Sequence, residues 1–186
     1  MAATEVKNVY PLQNDDGTPF EIQNGKIAGS MGVLMPNSLL YRQTSTGLWA
    51  KCDTSDATSG QAFHGMFVGL PNTDSTWPIA AELAASTAIR VLILKPGMKF
   101  AIKCENNGTD AAAPQAIVGN DYGITISATS GEIGYATLDL NSATNVVAKV
   151  VEVGANLDSI KYDLTSAPGT AIIRFLPVAL DAEKDT

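Results

Sequence analysis

The stretch "IRVLILKPGMKFAIKCENNG", residues 89–108, decides how the chain is read. Ile89, Val91, Leu92, Ile93 and Leu94 form a nearly continuous apolar run, the pattern of a strand buried on both faces. Lys95-Pro96-Gly97 interrupts it. The pattern then turns to strict alternation: Phe100, Ile102 and Cys104 on one face, Ala101, Lys103 and Glu105 on the other. Each large aliphatic that is fully buried contributes about 1.5–3 kcal/mol before entropy is counted. An exposed ion pair contributes about 0–1 kcal/mol. Packing therefore places this segment at the centre of the fold, and it carries almost no reactive chemistry.

Working outward, short strands recur about every ten residues, which is the rhythm of an all-β sandwich or barrel. Leu39, Leu40 and Tyr41, then Thr-Ser-Thr-Gly, then Leu48, Trp49 and Ala50 predict a hairpin with Gly47 in its turn. "FHGMFVGL" (63–70) predicts a strand, and residues 53–62 a polar loop. Pro78 suits the first turn of one short helix over Ala80–Ala85, ended by Ser86 and Thr87. "AIVGNDYGITISATSGEIGYATLDL" (116–140) reads as strand, turn, strand. "NVVAKVVEV" (145–153), a short "IKYDL" (160–164) and "GTAIIRFLPVAL" (169–180) follow. Pro177 lacks an amide donor and suits a strand end or edge.

The expected organisation is a single β-barrel or β-sandwich domain over 25–180 with at most one short helix. An extended N-terminal arm precedes it (1–24), and a charged tail follows (181–186). In the arm the apolar residues Val6, Val9, Tyr10, Leu12, Phe20 and Ile22 are too scattered for a core of their own. They are the candidate partner-binding residues, on a neighbour's surface. A frayed terminus is the other reading of the same residues.

Composition narrows the function. The chain has 186 residues, 45% hydrophobic and only 17% charged, below the usual ~25%. The formal net charge is −7 and no basic run of five or more occurs, which argues against nucleic acid as a partner. The longest apolar run falls far short of the ~20 residues that span a bilayer, so no membrane partner is expected. "MAATEVKNVYPLQNDD" has neither a cationic start nor an apolar segment, and production and use without the secretory route are expected. In such a reducing setting Cys52 and Cys104 are expected as buried free thiols, a disulfide being the alternative.

Reactive constellations are sparse. His64 is the one histidine, and no metal-ligand or nucleophile spacing surrounds it. Phosphate-binding, dinucleotide, zinc, EF-hand and nucleophile-elbow motifs are not found. Asp15/Asp16 and Asp53/Asp56 read as solvated turn residues. No catalytic, cofactor-binding or metal residue is expected, no cofactor, and no enzyme. Trp49 is expected in the core, and Trp77, in a polar loop before Pro78, is a possible exposed contact.

The chain resembles the virion accessory proteins of tailed bacteriophages that decorate or cement the capsid. The likeness runs through "NSLLYRQTSTGLWAKC", "HGMFVGL" and "LKPGMKFAIKCENNG", then "YGITISATSGEIGYATLDL", "NVVAKVVEV" and "GTAIIRFLPVAL". It implies a structural protein on the outer capsid surface, made in the host cytoplasm. It would bind the major capsid protein across capsomer junctions and associate with itself, as a homotrimer first and a dimer next. The alternative is a carbohydrate-binding β-module of a virion that adheres to host glycans, with Trp77 and Tyr122 or Tyr135 as its aromatic surface.

Overall fold

A computed structural model describes residues 9–14, 16–29, 34–35, 37–52, 62–71, 83–105, 115–127, 135–141, 146–153 and 169–180. The strands are β1 (Tyr10–Gln13), β2 (Ile22–Lys26), β3 (Leu39–Arg42), β4 (Trp49–Lys51), β5 (Gly65–Gly69) and β6 (Ala88–Ile93). They continue with β7 (Lys99–Glu105), β8 (Asp121–Ile126), β9 (Ala136–Asp139), β10 (Ala148–Val153) and β11 (Thr170–Phe175). The chain is all-β, as its punctuation predicts.

The Lys95-Pro96-Gly97 break is the pivot. Pro96 fixes one central φ, Gly97 takes φ 87°, and Met98 N–H donates to Lys95 O at 3.3 Å, a type II turn. The strand before it, β6, belongs to a sheet ordered β2-β6-β5-β3-β4. The strand after it, β7, belongs to a sheet ordered β1-β7-β11-β10-β8-β9. That second sheet closes on itself, because β9 also pairs in parallel with β7 at Cys104↔Leu138 and Glu105↔Asp139. β11 occupies one edge of β7, so β1 at Lys99–Ala101 and β9 at Cys104–Glu105 share the other. The result is a closed barrel of β7, β11, β10, β8 and β9, with β1 laid along its seam.

The β2–β4 sheet rolls up too. Its end strands meet at one parallel bridge, Ile27↔Trp49, where Ala28 N–H donates to Trp49 O at 2.8 Å. Ile27, Leu40, Trp49, Phe67, Ile89 and Val91 fill the inside of this roll. The alternate residues Leu39, Met66, Leu92 and Leu94 face the other way and join the core of the closed barrel, around Phe100, Ile102 and Cys104. Phe63, just before β5, packs into this same core, its ring 5.5 Å from Phe175, which lies 4.9 Å from Phe100. Burial of β6 on both faces is thus explained: each face belongs to a different core.

The free-arm reading is corrected for the described part of residues 1–24. β1 and β2 are strands of the body itself: Tyr10 pairs with Ala101, and Ile22 with Leu92. Val9 is fully buried, and Phe20 packs against the core. The segment needs no core of its own because it adds to edges formed some 70–90 residues later. Nor does the expected boundary at 24/25 mark a break, since β2 runs through it. Residues 1–8 and the tail 181–186 lie outside the described residues.

Other local expectations divide. The 39–51 hairpin forms, with Arg42↔Trp49 in register and Gly47 at φ 68°. Residues 78–82 of the expected helix lie outside the described residues. Leu83–Ala85 are not helical, and Ser86 turns left-handed at φ 63°. Strand β8 starts only at Asp121, because Gln115–Ile117 form a single 3-10 turn. Pro177 opens another such turn just past the end of β11. "IKYDL" lies outside the described residues.

A candidate binding groove at the mouth of the rolled sheet

Along β2 and β3 the residues that share a face with the buried Ile27 and Leu40 are Gln23, Gly25 and Arg42. In the middle of the roll that face is apolar. At its mouth it becomes polar, and a groove of about 460 Å³ opens there. That lies within the ~300–1,000 Å³ range of small-molecule sites. Gln23, Arg42, Gln43, Thr44, Gly47 and His64 line it together with Trp49, Ile93, Leu94 and Leu180. The β3–β4 turn forms one wall, and Leu180, beyond β11, brings the other barrel to the rim.

Hydrogen bonds fix these polar groups. Arg42 Nε donates to Gly47 O at 3.1 Å, which folds the guanidinium back over its own hairpin. Gln43 closes the turn, its N–H donating to Leu48 O at 2.9 Å, while its Oε1 accepts the Thr46 hydroxyl at 2.9 Å. Gln23 Nε2 donates to Glu21 Oε1 at 2.7 Å. Glu21 in turn pairs with Lys95 at 2.6 Å, and that hydrogen bond is the main cause of its lowered pKa. His64 Nδ1 accepts the Arg42 backbone N–H at 2.8 Å, so its ring is a neutral imidazole with the proton on Nε2. His64 thereby pins the end of β3.

Of the candidate arm residues, Val9 is sealed in the core and Tyr10, Leu12 and Phe20 are half-buried. Ile22 stays 42% exposed. Val6 and Trp77 lie outside the described residues, as do Asp15, Asp53 and Asp56. Trp49 is in the core at 5% exposure. Tyr122 and Tyr135 are half-buried, and Tyr122 packs against the closed barrel's core. Cys52 and Cys104 are free and buried, and burial pushes the Cys104 thiol up to about 12. Among the described residues no three His, Cys, Asp or Glu side chains gather as a metal site. Nor is any helix among them long and apolar enough to cross a membrane.

The groove residues Gln23, Arg42, Gln43 and Thr44 went unmarked in the sequence reading. Their signal was parity: Arg42 stands two residues after an inward leucine, and Gln23 four before an inward isoleucine. No family model matches this chain, and no curated protein matches it.

Proposed function

We propose that this protein is a structural component of a phage virion that binds the outer surface of the capsid and stabilises the shell across capsomer junctions. The observation that carries the reading is edge strand β2. It pairs with β6 on one side, stands at the end of its sheet, and leaves Ile22 42% exposed. The rest of β2 is polar, with Gln23, Asn24 and Lys26, so Ile22 is a single apolar anchor on a polar edge, a feature that a protein partner can cover. Strand β6 supports the reading further, since it packs Val91 in one core and Leu92 in the other and so ties β2 to the body. The sequence resemblance to capsid decoration proteins supplies the partner, the major capsid protein. Self-association as a homotrimer would multiply modest contacts into firm ones.

The test is co-sedimentation with shells stripped of the protein. Wild type should pellet with the shells, and Ile22→Lys, folded by circular dichroism, should bind at least about tenfold more weakly. Wild type left in the supernatant would overturn the reading. Equal binding by Ile22→Lys would remove β2 as the contact.

A further inference from the structure

The groove at the mouth of the rolled sheet has more hydrogen-bond donors than acceptors. Arg42 spends Nε on Gly47 O, and its two terminal nitrogens have no partner among the described residues. Among the described residues no carboxylate lines the groove beside it. Gln43 spends its oxygen on Thr46, leaving its amide NH₂ as a donor. The Trp49 indole N–H has no acceptor in the protein among the described residues. The ring edge that carries it packs against Gly25, whose missing side chain is what lets Nε1 sit there. Glu21, the acid that Gln23 contacts, is already held by Lys95. Arg42 itself is exposed at the rim, so a carboxylate would meet a solvated guanidinium flanked by the apolar surface of Ile93 and Leu94.

We infer that this groove binds a small monocarboxylate with an apolar body. The carboxylate would accept from the guanidinium fork of Arg42. The indole N–H of Trp49 and the Gln43 amide would complete the shell. The apolar body would lie on Ile93 and Leu94. One cation matches one negative charge, and the chain's net charge of −7 disfavours polyanions. Sugar stacking is disfavoured because Trp49 exposes only 5% of its surface and offers no open ring face. This site stands apart from the capsid contact proposed at Ile22, and either can fail without the other.

The experiment is titration of ¹⁵N-labelled protein with benzoate, following the Trp49 indole N–H signal, which a Trp77→Phe variant assigns. Benzamide serves as the neutral match, and N-acetylneuraminate and N-acetylglutamate amide test whether a sugar or a protein side chain is the carrier. The inference predicts a saturable benzoate shift. Binding should weaken at least about tenfold for benzamide and for Arg42→Gln, with partial recovery in Arg42→Lys. Tighter binding by either carrier than by benzoate would keep the carboxylate site and name its source. No saturable shift with any carboxylate, or equal binding by benzamide or by Arg42→Gln, would overturn it. An Arg42→Gln protein that does not fold leaves the benzoate–benzamide comparison on the wild type to decide.

Discussion

The ring of Trp49 packs against Gly65, so closely that a side chain there would press on it. A Cβ placed there would stand 3.0 Å from Trp49 Cζ3 and 3.1 Å from the Leu92 carbonyl oxygen, and would overlap Val91 Cγ1. On the ring's other side, a Cβ at Gly25 would overlap Trp49 Cδ1 and Nε1. Two glycines on two strands thus form the slot that lets one indole plug the rolled sheet.

Gly65→Ala is therefore expected to destabilise by overpacking, by about 1–3 kcal/mol. Gly25→Ala should do the same, and Trp49→Phe should relieve part of its cost because the smaller ring vacates the contact. Urea unfolding of the two single variants and the double variant reads the coupling. Strict additivity would contradict the slot.

Val9→Ala should cost about 1.5–3 kcal/mol, from two methyls at ~0.8 kcal/mol each plus an incompletely closed cavity. A leading segment that merely rested on the surface would change stability by less than about 0.5 kcal/mol. The urea midpoint separates the two cases.

Ser86 holds φ 63° without being glycine, at an exposed turn where Thr87 N–H donates to Ala84 O at 3.2 Å. Ser86→Gly should raise stability by up to about 1 kcal/mol, since the left-handed conformation costs a Cβ-bearing residue roughly 1–2 kcal/mol and glycine's greater chain entropy returns part of it. A lower urea midpoint in the variant would refute this account of the turn.

Cys104 links stability to alkaline pH. Its folded pKa is raised by burial from 9.0 to about 12. Its stabilising share is full below pH 9 and is lost as pH rises from 9 towards 12, because the unfolded thiol ionises first. A stability profile over that range should fall, and Cys104→Ala should fall less steeply. At pH 8 the native thiol should resist a thiol reagent that labels the unfolded chain at once.

These residues also show what the sequence could and could not tell. The Pro96-Gly97 turn, the Gly47 hairpin and the face of Phe100, Ile102 and Cys104 were legible because each depends on neighbours a few positions away. The fate of the leading segment was not. Tyr10 finds Ala101 and Ile22 finds Leu92, and no local pattern announces partners so distant. The all-β barrel was legible, but the second rolled sheet beside it was hidden for the same reason, since closure rests on local meetings such as Ile27 with Trp49 and Cys104 with Leu138. Arg42 ends a hairpin strand and carries no local mark of the groove. Only closure of the roll makes its face an inward one.

The most direct measurement of the central claim is shell integrity. Purified phage particles with and without this protein are exposed to rising chaotrope, and DNA release is followed with an intercalating dye. A cementing protein predicts release at distinctly lower chaotrope from particles that lack it, with resistance restored on adding the folded protein back. Identical release curves for the two kinds of particle would contradict it.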